Sequence, residues 1–195
     1  MGSSNLTRWA GLATMVGGVL LALWTVGFNF VGYGDPGTLA YERYEAYNRL
    51  LPLAVLPVIV GFLGLHAAQR RTYGWLGRAS LVTALLGLEL AVAGSVGEFW
   101  VFTTQPYGEP NGRNASWAIY LLGHLVLGIG SVLFGVASVR AKVLERKPAM
   151  TFAVLGGFAV APFFGAVIFA IPFAWLGYTL WSGQGQADRQ PRRVR

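Results

Sequence analysis

The chain has 195 residues, of which 54% are hydrophobic and 12% charged, and it contains no cysteine. A soluble domain carries about 25% charged residues, so the composition points to lipid, and the missing thiols exclude disulfides, thiolate metal sites and cysteine nucleophiles. The formal net charge of +7 would suggest nucleic acid in a soluble protein, but here the basic residues sit in short connectors and a tail, where positive-inside topology and anionic headgroups account for them; no nucleic-acid partner is expected.

A helix crossing a hydrocarbon core of roughly 30 Å needs about 20 apolar residues. In chain order the predicted segments cover about 9–30, 48–68, 75–104, 116–139, 150–163 and 165–181, followed by a basic tail over 182–195 that is expected to be disordered. Together they predict one transmembrane domain, an all-α polytopic bundle. The first segment begins after Arg8 and ends in "WTVGFNF" without a small-residue cleavage pattern, so it reads as a retained helix rather than a signal peptide. The second carries Pro52 and Pro57 near its start. The stretch 150–181 would be about 48 Å long as one straight helix, too long for the core, and Pro162 followed by "FFG" offers a turn.

Charge bias arbitrates between the two readings of that stretch. With the N-terminus inside, the inner connectors hold Arg70, Arg71, Arg78, Arg140, Lys142, Arg146 and Lys147, while the outer ones hold only Arg43, Arg49 and Arg113. A hairpin over 150–181 also places the basic tail inside, in accord with the positive-inside rule. Six helices with cytoplasmic termini, in the cell membrane, is therefore the favoured topology, with five helices as the alternative. "WAGLATMV" at Trp9 and "WLGRASLV" at Trp75 share Trp, Gly, Ala and Val, which is compatible with two parallel repeats.

The first outer connector carries Asp35-Pro36-Gly37 and then Tyr41, Tyr44 and Tyr47. Tyrosines spaced by three suit a short helix at headgroup level, either as an aromatic belt or as a lid over a ligand. The second, "PYGEPNGRNAS", is rich in turn formers and holds the sequon Asn114-Ala115-Ser116, which has meaning only in a glycosylating host.

Ionisable groups within spans cost roughly 2.5 to 3.5 kcal/mol each and call for a reason. Glu89 lies near mid-membrane and is expected to face another helix or a wet cavity, with Thr14, Thr25 or Asn29 as neighbours. Gly87, Ala91, Gly94 and Glu98 share one face of the third segment, and His124, Gly128, Ser131 and Gly135 repeat those offsets on the fourth. Small residues let helices approach closely in lipid, so the two stripes are expected to pack together and to bring Glu98 and His124 to one height as a polar pair, a structural tie or a proton relay. His66, Arg70 and Arg71 are expected at the membrane surface, in contact with lipid headgroups.

No metal is expected, because no HExxH or clustered ligand set occurs, and phosphate-binding and nucleophile-elbow motifs are missing as well; no cofactor is implied. The leading expectation is a non-enzymatic membrane protein that binds a lipid-like ligand or joins a larger membrane assembly, as a homo-oligomer or with another membrane protein. A proton-coupled carrier or channel using Glu89, Glu98 and His124, and an enzyme acting on a lipid or isoprenoid with Glu98 and His124 as acid and base, are the alternatives.

Overall fold

A computed structural model describes residues 3–142, 144–161 and 164–182 of the chain. It contains seven α-helices: α1 (Ser3–Val31), α2 (Leu39–Asn48), α3 (Leu51–Gln69), α4 (Gly74–Val96), α5 (Gly112–Ala141), α6 (Arg146–Leu155) and α7 (Phe164–Ser182). A π-helical turn over Gly97–Val101 prolongs α4, and a 3-10 turn over Gly156–Val160 prolongs α6. Helices are what lipid permits, since every backbone N–H and C=O must be satisfied within its own segment. The result is an all-α membrane bundle in which five helices are long and apolar enough to cross a bilayer.

The expected six segments are refined at two places. The second span is α2 and α3 together, running over Leu39–Gln69. Arg49 and Leu50 keep right-handed helical dihedrals between the two helices, and the break falls where Pro52 has no N–H to offer the ladder. Thr38 starts this long element by accepting from the Tyr41 N–H. The tyrosine-bearing helix therefore stands on α3 as its continuation instead of lying as a separate strip on the membrane surface.

The second refinement concerns 150–181. Its first half is the ten-residue α6 with its five-residue 3-10 turn, too short to be counted among the spanning helices. The proposed turn at Pro162 and the basic tail beyond Ser182 lie outside the described residues. The hairpin topology is nevertheless present, because α6 runs against α5 with Ala153 on Gly135 and Val160 on Gly128, and α7 returns along α1 with Ala174 on Gly18 and Trp181 on Gly11. The first and last described residues thus meet at the same end of the bundle, together with Arg70, Arg71, Arg78 and Arg140.

Neighbours run in a ring: α1 packs on α3, α3 on α4, α4 on α5, α5 on α6, α6 on α7, and α7 on α1. Phe62, Phe134, Phe152, Phe169 and Phe173, all fully buried, fill the axis of the ring with centroid separations between 5.0 and 6.5 Å. Leucines and valines such as Leu23, Leu53, Val60, Val82 and Leu86 face outward, as an acyl-chain environment allows.

One asymmetry of the ring prepares the site. Ala170 of α7 lies against Gly18 of α1, so Phe164 comes level with about Trp24, roughly 10 Å short of the end of α1 at 1.5 Å per residue. The α6–α7 hairpin leaves the last turns of α1 and the first turns of α5 without a helix between them.

Candidate functional site

At this end of the bundle, opposite the Arg70–Arg78 end, a cleft of ≈ 370 Å³ is lined by Phe28, Tyr33, Tyr44, Glu98, Tyr107 and Trp117. Phe28 is on α1 and Trp117 on α5, the two helices that the hairpin fails to bridge. Tyr44 comes from α2, Glu98 from the π-helical turn, and Tyr33 and Tyr107 from the two connectors. The tyrosines are held by one another: Tyr33 meets Tyr44 edge-on at 5.1 Å and Tyr107 at 6.4 Å, and Tyr44 packs on Phe28 at 5.8 Å and Phe99 at 5.7 Å.

Glu98 is the acid of the cleft. The Phe102 N–H donates to the Gly97 carbonyl five residues back, at 2.9 Å, which is the bond that defines the widened turn. Such π-turns insert a residue into an α-helix and re-aim its side chains, often at functional positions. Glu98 is 1% exposed. Its Oε1 accepts from the Tyr107 hydroxyl at 2.7 Å, a usual length for an O–H···O hydrogen bond. Its Oε2 is buried without a hydrogen-bond partner.

Behind the cleft lies a heavily engaged polar group. Arg113 is 1% exposed and forms an ion pair with Glu45 of α2. Its Nη1 also donates to the carbonyls of Thr103 at 2.9 Å and Gln105 at 3.4 Å, and its backbone N–H donates to Gln105 Oε1 at 3.1 Å. The guanidinium stands 4.0 Å from the ring centroid of Tyr107. One arginine therefore ties α2, the α4–α5 connector and the first turn of α5 into a single unit. Asn111 caps that turn by accepting from the Asn114 N–H.

Tyr107 lies outside the spans, and its hydroxyl pKa is raised, first by burial and then by the hydrogen bond to Glu98. Its proton is thus held well above neutral pH, and the phenol remains a donor to Glu98. A group whose folded pKa exceeds its unfolded value, about 10 for tyrosine, contributes stability that is constant below pH about 10 and falls as pH rises beyond it. Tyr107→Phe is expected to lower stability at neutral pH by about 1 kcal/mol and to flatten the alkaline decline, as thermal unfolding in detergent between pH 7 and 11 will report.

The sequence-predicted residues fall as follows. Gly87, Ala91 and Gly94 do pack against α5, but on the face bearing Tyr120, Gly123 and Leu127. Gly128, Ser131 and Gly135 form a second close seam, directed at Val160, Gly156 and Ala153 of the hairpin. Both stripes are packing stripes; they have different partners, because Gly123 and Gly128 are five residues apart and so point about 140° away from each other.

The Glu98–His124 pair is corrected on the same ground. Gly97 lies against Ser116 and Ala91 against Gly123, so Glu98 and His124 differ in height by about 12 Å. His124 instead donates from Nδ1 to the Tyr120 carbonyl of its own helix at 3.0 Å and packs on the Tyr120 ring at 4.3 Å. It lines a separate small cavity of ≈ 20 Å³ among Trp24, Val55, Leu88 and Phe169. Direct proton exchange between Glu98 and His124 has no contact to run through.

Glu89 is exposed on the outer surface of α4, not turned toward α1. The suggested partners are satisfied without it: Thr14 donates to the Ala10 carbonyl, Thr25 to that of Leu21 and Asn29 to that of Thr25, each at 2.8 Å. Arg70 and Arg71 are exposed, as surface groups should be. His66 is half-buried and hydrogen-bonded through Nδ1 to the Tyr73 hydroxyl, whose pKa burial pushes up to about 12, so it sits inside the bundle edge more than among headgroups. Among the described residues no group of three or more His, Cys, Asp or Glu is placed to hold a metal.

Arg113, Glu45 and Tyr107 were missed as site residues. The available signal was an acidic excess: Asp35, Glu42, Glu45, Glu98 and Glu109 at this end outnumber Arg43, Arg49 and Arg113, whereas the other connectors are basic. The chain matches no protein-family profile, no curated protein and no solved structure.

Proposed function

We propose that the protein is a non-enzymatic membrane protein that takes a lipid-like amphiphile into the cleft between α1 and α5. The observation that carries this reading is the position of the cleft, directly above the short α6–α7 hairpin and flanked by Phe28 and Trp117. Acyl chains have lateral access there, while Tyr33, Tyr44, Tyr107 and Glu98 supply a wall that is aromatic with polar tips, suited to the headgroup level. The basic end, with Arg70, Arg71, Arg78, Arg140, Arg146 and Lys147, faces the cytoplasm by the positive-inside rule. The cleft then opens to the outer leaflet of the cell membrane.

A second reading, membership of a larger assembly, is favoured by Glu89. A carboxyl at mid-membrane on an outward face costs roughly 2.5 to 3.5 kcal/mol, and its neighbours Val82, Leu86 and Trp100 are exposed as well. A helix of a second protein, or of a second copy, would relieve that cost.

Native mass spectrometry of the protein released from lipid nanodiscs addresses both readings. Retained lipid on the wild type, stripped by Trp117→Ala and Phe28→Ala but not by Glu89→Leu, is the expected result for the cleft. Bare protein under conditions that preserve the fold would refute it. Higher-mass complexes that vanish in Glu89→Leu alone would establish the assembly reading.

A further inference from the structure

The cleft has a definite chemical character beyond its amphiphilic shape. Five of its six lining residues are aromatic, and the sixth is a carboxylate. Among the described residues no lysine or arginine lines it. Aromatic faces carry negative quadrupole charge, and a cage of them is the recurring receptor for a quaternary ammonium group, which is too diffuse to be held by hydrogen bonds.

Charge bookkeeping at the site points the same way. Glu45, Glu98 and Arg113 lie within electrostatic reach of one another, and Arg113 is ion-paired with Glu45 alone. Two carboxyl groups face one guanidinium, so that among the described residues Glu98 has no cation of its own, and its Oε2 is buried without a partner. Arg49, another cation at this end of the bundle, donates to the Phe99 carbonyl at 2.8 Å and lies 5.7 Å from the ring centroid of the exposed Trp100, so it is committed to the outer surface. The ring of Tyr107 already lies 4.0 Å from the Arg113 guanidinium, a cation–aromatic contact of the kind such a cage makes.

We infer that the cleft is a quaternary-ammonium site, in which Phe28, Tyr33, Tyr44, Tyr107 and Trp117 surround the cationic group and Glu98 balances its charge. This rests on the lipid-binding reading only for the source of the ligand: the ammonium belongs either to a choline-type lipid headgroup or to a free organic cation. Glu98 and the rings are binding residues, and no bond is made or broken.

The test uses the full chain in a maltoside detergent, which offers no ammonium of its own. Tetramethylammonium chloride is titrated against sodium chloride at matched ionic strength, following thermal unfolding and tryptophan fluorescence. Half-saturation at a concentration about tenfold or more below any effect of sodium is expected, given about 1 to 2 kcal/mol from cation–aromatic contact in a desolvated cage. Glu98→Gln, which preserves an acceptor for Tyr107, and Tyr33→Leu, at an exposed rim position, are each expected to abolish the difference. A second arm compares lipid retained from nanodiscs of phosphatidylcholine, phosphatidylethanolamine and phosphatidylglycerol. Selective tetramethylammonium binding with preferential retention of phosphatidylcholine supports the site with a lipid as ligand. Selective tetramethylammonium binding with no lipid retained from any of the three supports the site with a free cation and overturns the lipid reading. Lipid retained regardless of headgroup, with tetramethylammonium no better than sodium, overturns the ammonium site and leaves lipid binding standing. Failure of both arms overturns both.

Discussion

Arg113→Leu is expected to be among the most damaging single substitutions available in this protein, lowering unfolding stability by about 3 to 5 kcal/mol, the usual consequence of removing one partner from a buried ion pair. The loss does not measure attraction to Glu45 alone. Leucine leaves Glu45 buried at 7% exposure without its cation, and it orphans the carbonyls of Thr103 and Gln105. The α4–α5 connector would detach from α2, Tyr107 would lose the cation against its ring, and Glu98 would lose the residue that positions Tyr107. Glu45→Gln is expected to cost less, because an amide oxygen still accepts from the guanidinium. The double variant Glu45→Leu, Arg113→Leu removes both charges and should recover part of the loss, giving, with wild type and the single variants Glu45→Leu and Arg113→Leu, a coupling energy above about 1 kcal/mol in a double-mutant cycle. Thermal and denaturant unfolding in detergent provides the four values. Two single variants each within about 0.5 kcal/mol of wild type, with additive effects, would show that the pair is not a structural tie.

How much of this was legible beforehand depends on which physical constraint was acting. The spans follow from composition because lipid leaves the backbone almost no choice, and the same-end meeting of α1 and α7 follows from the placement of Arg70, Arg71, Arg140 and Lys147. Gly87, Ala91 and Gly94 were legible as a close-packing face, since only their lack of bulk explains that row. Their partner was not. Gly123 and Gly130 make an equally small face on α5, and the choice between it and the Gly128–Ser131–Gly135 face is set by where the hairpin packs, a tertiary fact with no local signature. The height of Glu98 relative to His124 was misjudged for a related reason. Helix ends at one level would bring the two residues to one height, whereas the connector 102–111 folds back under Arg113 and lets α5 begin at Gly112.

Glu89 illustrates the opposite kind of error. Its position half a helical turn from the small-residue face already placed it among Val82 and Leu86, on the side away from α5. The rule that intramembrane acids point inward overrode that geometry, and the structure follows the geometry. The Arg113–Glu45 pair spans 68 residues of sequence, and nothing local to either residue distinguishes a buried charge from a solvated loop charge. What the sequence did display was the sign imbalance between the two ends of the bundle, and that imbalance converges on the cleft.

Gly123→Leu provides the second large effect and discriminates between the two packing schemes. A Cβ on Gly123 would land on the backbone nitrogen of Ala91 and the carbonyl oxygen of Gly87, and one on Gly87 would land on the backbone nitrogen of Leu127. Backbone atoms in a helix cannot step aside, so any side chain here must part α4 from α5 along its length. Overpacking that side chains can absorb costs about 1 to 3 kcal/mol; Gly123→Ala is expected at the upper end of that range, and Gly123→Leu is expected to prevent assembly of the bundle. Gly157→Ala is the matched control, because the added carbon would meet only Val132 Cγ2 at 3.1 Å, a methyl that can rotate away. Gly128→Ala should fall between them, since it meets the Val160 side chain first, and then the Val160 backbone nitrogen at 3.0 Å and the Gly157 carbonyl at 3.1 Å. Fluorescence-detected size exclusion and thermal unfolding will rank the four variants. If α4 packed on the Gly128–Gly135 face instead, Gly128→Ala would be the severe substitution and Gly123→Leu would lie harmlessly among acyl chains; the order of those two decides which small-residue seam holds the third and fourth spans together.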